Sequence, residues 1–130
     1  MGFGSHCVQD TEGAMLHRDF HVPHARHMIR KGHPEYVGSY SAFLEADRST
    51  PTGLAGYLRD VGAKRVWVAS FATDSCVAWT ALDGRAAGFG VVVIEEACRA
   101  IDLNGSLEKA WQNMRKAGVQ SDDVLKTAMV

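Results

Sequence analysis

An α/β fold with a parallel sheet covered by helices is predicted by three observations. Strand, helix, strand and helix patterns alternate between residues 65 and 118; two strand runs, Arg65–Phe71 and Val91–Glu95, are mainly apolar; and a glycine follows each helical pattern, at positions 62, 88 and 118. Strands buried on both faces read as such runs, whereas half-exposed strands alternate apolar with polar residues.

The elements follow in order. Residues 6–27 are expected to form a loop; they hold five of the six histidines and show no helical or strand period. A short strand is expected at residues 27–31, ending at Lys31-Gly32, and then a loop from His33 to Ser41 carrying Pro34 and Gly38. Thr52 is suited to cap a helix running to about Asp60, with Leu54, Leu58 and Val61 on one face and Gly62 past its end. Residues 65–71 form a strand, a helix runs from Cys76 to about Ala87, and Val91–Glu95 form the next strand. After a loop at Asp102–Gly105, Leu107, Trp111 and Met114 mark an amphipathic helix ending at Gly118.

The 130 residues, 46% hydrophobic and 22% charged, suffice for one core, so residues 1–130 are expected to form a single domain. A net charge of −1 with both signs intermixed provides no basic stripe for nucleic acid or an anionic membrane surface. No run approaches the roughly 18 apolar residues of a spanning helix, and the N-terminus does not resemble a signal peptide. A cytoplasmic protein is therefore expected, and three cysteines, an odd number, suit a reducing compartment.

The most informative segment is Arg65-Val66-Trp67-Val68-Ala69-Ser70-Phe71-Ala72-Thr73-Asp74-Ser75-Cys76-Val77. An apolar strand run ends in a polar turn that places a cysteine at a helix start. The N–H groups and partial positive charge at a helix N-terminus favour thiolate and can hold an oxyanion, which makes Cys76 the candidate nucleophile. A cysteine can also be a small buried hydrophobe; the polar Thr73-Asp74-Ser75 turn favours the functional reading.

Ala72-Thr73-Asp74-Ser75-Cys76-Val77, Thr80-Ala81-Leu82-Asp83 and Val91-Val92-Val93-Ile94-Glu95-Glu96-Ala97-Cys98 together resemble the nicotinamidase/pyrazinamidase branch of the isochorismatase-like cysteine hydrolases. So do His6-Cys7-Val8-Gln9, Arg30-Lys31-Gly32, Ser39-Tyr40-Ser41-Ala42-Phe43, Thr52-Gly53-Leu54-Ala55-Gly56-Tyr57-Leu58, and Ile101-Asp102-Leu103-Asn104-Gly105-Ser106-Leu107 with Ala110-Trp111. The resemblance implies a three-layer α/β/α sandwich around a parallel sheet, the isochorismatase-like hydrolase fold, here N-terminally truncated. Its site is expected in a crevice at the carboxyl ends of the strands.

The same resemblance implies a nicotinamidase-type amidohydrolase of NAD salvage, which converts nicotinamide to nicotinate and ammonia through a cysteine thioester. Cys76 matches the nucleophile and Lys31 the catalytic lysine. The backbone N–H groups of Ala72 and Cys76 match the oxyanion hole, with a cis peptide expected before Ala72. Tyr40, Phe71 and Phe3 match substrate-binding positions around the pyridine ring. His6 matches a ligand of a divalent metal: zinc, iron or manganese. The family's catalytic aspartate and Asp-x-His metal pair have no match, and Asp10, Asp19 or a second subunit are candidates to stand in. Ser70 stands where glycine is usual and Ser75 where tyrosine or histidine is common, departures that bear on the substrate. Cys7, Cys98, Trp67, Trp79 and Trp111 are read as structural, and His17, His21, His24 and His27 as a solvated loop. Two alternatives are a catalytically silent remnant or assembly subunit of such an enzyme, and a relative acting on a carbamoyl or ureido compound. The expected partners are a small amide and a second copy of the chain in a homo-oligomer, with neither nucleic acid nor membrane.

Overall fold

The computed structural model describes residues 10–31 and 40–122. Three parallel strands, β1 (Arg65–Val68), β2 (Gly90–Ile94) and β3 (Gln120–Asp122), stand in the order β1-β2-β3. Three helices accompany them: α1 (Leu54–Asp60), α2 (Ala78–Ala86) and α3 (Ser106–Lys116). Val66 pairs with Val91 and Val68 with Val93, and Val93 in turn pairs with Ser121. The expected parallel sheet with helices is therefore present.

The central strand explains the apolar run at 91–94. Val91, Val92 and Val93 are all buried, as required of a strand with neighbours on both edges and packing on its faces. Val91 and Val93 share a face and meet Val77, Ala78 and Ala81 of the α2 region and Ala110, Trp111 and Met114 of α3 in one cluster. The Leu107-Trp111-Met114 spacing thus places an apolar stripe on the sheet, and each large side chain so buried stabilises by roughly 1.5–3 kcal/mol. Cys98 lies in the same cluster, as expected of a structural cysteine.

Helix ends follow the glycines. Gly62, Gly88 and Gly118 have φ of +76°, +95° and +88°, the left-handed conformation that closes a helix. Arg85, in the last turn of α2, donates from Nε to the Ala117 carbonyl at 2.8 Å and so joins the C-terminal ends of α2 and α3.

Several expectations require correction. Residues 27–31 form no strand among the described residues; His27 stacks on Tyr57 of α1, with ring centroids 4.3 Å apart. Thr52 is not the cap residue of α1. Gly53, at φ +99°, holds that position, while Thr52 Oγ1 accepts from Leu54 N–H at 3.3 Å and donates to the Ala42 carbonyl at 2.6 Å. Val61 is exposed rather than on the packed face. The first strand stops at Val68, three residues early, because the chain turns there toward the cysteine. Trp111 packs in the core, but Trp67 and Trp79 are half exposed, and Trp79 lies beneath the Arg48 guanidinium at 4.5 Å. The short β3 had no apolar run to announce it: Gln120-Ser121-Asp122 is polar and pairs along the edge of β2.

Candidate active site

The chain leaves β1 through Ala69 and Ser70, passes a cis peptide between Phe71 and Ala72, and enters a tight turn at Thr73–Val77 that runs directly into α2. The cis bond lies where it was expected. The turn is wider than an α-helical one: Ser75 and Val77 N–H both donate to the Ala72 carbonyl, at 3.0 and 3.1 Å, the second spanning five residues. Such π turns are frequent at functional sites. Cys76, partly exposed, sits in this turn rather than in regular α-helix.

Two connections anchor the turn to the segment after β2. Thr73 N–H donates to the Arg99 carbonyl at 2.9 Å, beside a parallel bridge from Phe71 to Arg99. The Asp74 carboxylate accepts from Ile101 N–H at 2.9 Å, from Asp102 N–H at 2.8 Å and from the Ser106 hydroxyl at 2.5 Å. Burial pulls the Asp74 carboxyl upward, but the hydrogen bonds from Ser106, Ile101 and Asp102 outweigh it and hold the group below its ordinary range.

Beside the turn lies a hollow of about 400 Å³, within the size range of small-molecule sites. Its walls are largely apolar, from Phe43, Leu54, Leu58, Val66 and Val68, and its polar groups include Lys31, Ser70, Cys76 and Thr80. Thr80 Oγ1 accepts from Ala42 N–H at 3.0 Å, which ties the wall at 42–43 to α2. Lys31 and Cys76, 45 positions apart in the chain, thus meet on one cavity. Lys31 Nζ donates to the Tyr40 carbonyl at 3.0 Å.

The other predicted residues are distributed differently. Ala72 is buried in the peptide stretch leading to Cys76. Tyr40 and Phe71 are 57% and 77% exposed and are not among the residues lining the hollow. Phe3, His6 and Cys7 lie outside the described residues. Among the described residues no carboxylate lines the hollow; Asp10 is exposed, and exposed Asp19 stands 3.8 Å from both His17 and Arg18. Among the described residues no three His, Cys, Asp or Glu side chains gather as a metal site, and no helix is long and apolar enough to cross a membrane. Sequence reasoning missed Leu54, Leu58 and Thr80 as lining residues and Asp74 as an anchor. Leu54 and Leu58 read only as one packed face of a helix, and Asp74 only as part of a polar turn.

Residues 2–123 match the isochorismatase domain. A nicotinamidase from Acinetobacter baylyi is 55% identical over 116 residues, which cover 89% of this chain and 54% of that protein, so the chain spans about half the length of this relative. PnC1 from L. infantum, solved in complex with nicotinate, superposes with a TM-score of 0.83 at 41% identity over 90% of this chain and 58% of that one. The pyrazinamidase of Pyrococcus horikoshii, solved in complex with zinc, gives 0.76 at 33% identity over 91% and 61%. With its parallel sheet and a domain match across nearly its whole length, the chain belongs to the isochorismatase family.

Proposed function

We propose that this chain carries the nucleophilic site of a nicotinamidase-type amidohydrolase acting on nicotinamide. The observation that supports this most is the placement of Cys76 and Lys31 on one largely apolar hollow beside the end of β1. Similarity to the Acinetobacter baylyi nicotinamidase and to the nicotinate complex of PnC1 supports the substrate class.

In this reading the Cys76 thiolate attacks the carboxamide carbon and forms a C–S bond. The oxyanion is held by the N–H groups of Ala72 and Cys76, and the Lys31 ammonium offsets negative charge during attack. Collapse breaks the C–N bond, and the departing nitrogen takes a proton to leave as ammonia. Water then cleaves the thioester, yielding nicotinate and the free thiol. The apolar walls exclude bulk water and receive the pyridine ring. The metal assignment rests on His6, which lies outside the described residues, so no step is routed through a metal.

Among the described residues no carboxylate lines the hollow, and this favours a second reading, in which the chain by itself is catalytically silent. A missing general base typically removes about 10²–10⁴-fold in rate. Ammonia release from nicotinamide by the purified 130-residue chain, with zinc, manganese or iron added and Cys76→Ala as control, decides between them. Turnover that disappears in the control supports the amidohydrolase; folded protein without turnover supports the silent chain. A carbamoyl or ureido compound assayed in parallel tests the substrate.

A further inference from the structure

We propose that Asp74 is a positioning residue for the Cys76 nucleophile: by binding Ile101, Asp102 and Ser106 it clamps the cysteine-bearing turn to the loop that leads into α3. The proposal rests on the reading of Cys76 as nucleophile and concerns how that group is aimed.

Three features of the structure carry it. First, Asp74 is two residues before Cys76, within the same five-residue turn, so displacement of its backbone moves the thiol. Second, its carboxylate gathers three donors from a segment 27 to 32 residues away, at 2.9, 2.8 and 2.5 Å, a number suited to ordering a turn rather than to a single cap. Third, the receiving loop is itself stiff. Leu103 N–H donates to Ser106 Oγ at 2.9 Å, Leu107 N–H donates to Asp102 Oδ1 at 3.3 Å, and Asp102, Asn104 and Gly105 all adopt positive φ. The loop continues into α3, whose Trp111 and Met114 are buried in the core. Asp74 thus connects the reactive turn to the packed centre of the protein, and the Thr73-to-Arg99 backbone bond acts in parallel.

A clamp and a charge predict opposite signs for the loss of Asp74. Removing a negative charge near a thiol favours thiolate and speeds its reaction with an electrophile. Loosening the turn disperses the N–H groups that favour thiolate and slows it.

The test measures the second-order rate of iodoacetamide alkylation at neutral pH, followed by mass spectrometry of the Cys76 peptide in the folded 130-residue chain. This readout needs no turnover, so it stands apart from the test of amidohydrolase activity. In Asp74→Asn the amide NH₂ cannot accept, and at least one donor loses its partner. Alkylation is expected to slow by about threefold. Ser106→Ala, which removes one donor, is expected to slow it less, and Ser106→Thr, which keeps a hydroxyl, to restore it. If Asp74→Asn does not fold, the Ser106 pair decides alone. An unchanged rate with a lowered Tm would mean that Asp74 only stabilises the fold, and a faster rate would mean that its charge dominates; either result overturns the proposal.

Discussion

Arg48 grips Asp83 at two points, Nη1 to Oδ2 at 2.9 Å and Nη2 to Oδ1 at 2.5 Å, and so ties the turn after Phe43 to the middle of α2. The Asp83 carboxylate is buried, whereas the Arg48 side chain is 42% exposed and lies over the Trp79 ring. Asp83 holds Arg48 even more firmly in its charged form. A planar guanidinium suits both tasks, bidentate pairing and stacking, in a way that lysine does not.

Removing one partner leaves the other unpaired. Arg48→Ala should lower stability by about 1–3 kcal/mol, because the buried Asp83 carboxylate loses its partner. Replacing both Arg48 and Asp83 with alanine should cost less than the sum of the two single alanine replacements. Urea unfolding of the two single variants and the double variant measures this coupling; strict additivity would show that the pair contributes nothing as a pair.

Gly84 has no room for a side chain. A Cβ there would lie 2.9 Å from Val91 Cγ2 and 3.1 Å from Phe43 Cε2, both belonging to buried residues. Alanine would gain about 1 kcal/mol in helix propensity, but overpacking costs about 1–3 kcal/mol. Gly84→Ala is expected to be destabilising overall, read as a lower Tm.

Acid sensitivity should arise in part at the 45–50 turn. Asp47 accepts from Ser49 N–H at 2.9 Å, from Thr50 N–H at 2.8 Å and from the Thr50 hydroxyl. Hydrogen bonding by the Thr50 hydroxyl, and then by the Thr50 and Ser49 N–H groups, lowers its pKa from 3.8 to about 2. The unfolded carboxyl binds its proton more tightly, so the stabilisation is present above the ordinary value and is lost as pH falls from 3.8 toward about 2. Asp47→Asn should flatten the dependence of Tm on pH in that window. An identical slope in both proteins would dismiss the turn as a contributor.

Lys31 should matter for reactivity rather than for folding. Its side chain is exposed at the hollow and its hydrogen bond is to one carbonyl. Lys31→Gln should leave Tm nearly unchanged, slow Cys76 alkylation at neutral pH and, if the chain turns over nicotinamide, reduce ammonia release by roughly 10²-fold. Unchanged alkylation would remove Lys31 from the role assigned to it.

Much of the frame was legible along the chain because its signals are local. The valine run at 91–93, the spacing of Leu107, Trp111 and Met114, and the glycines at 62, 88 and 118 each determine an element through a few neighbouring residues. The cysteine turn was legible for the same reason, as an apolar strand followed by polar residues at a helix start. The strand expected at 27–31 is not formed among the described residues, since a β segment needs a partner that a local pattern does not supply; His27 there stacks on Tyr57. Tyr40 and Phe71 were read as ring-binding by similarity alone, and both are exposed in the structure.

By itself, then, the sequence determined the α/β order, the core stripe of α3 and the placement of Cys76 just past an apolar strand, because periodicity and turn chemistry act over a few residues. Only the tertiary structure decided that Lys31 meets Cys76 on one hollow, that Asp74 joins the cysteine turn to Ser106, and that Arg48 reaches Asp83. Those pairings span 45, 32 and 35 positions of chain. Contacts at such distance depend on how helices and strands pack, and that arrangement is written in no local pattern.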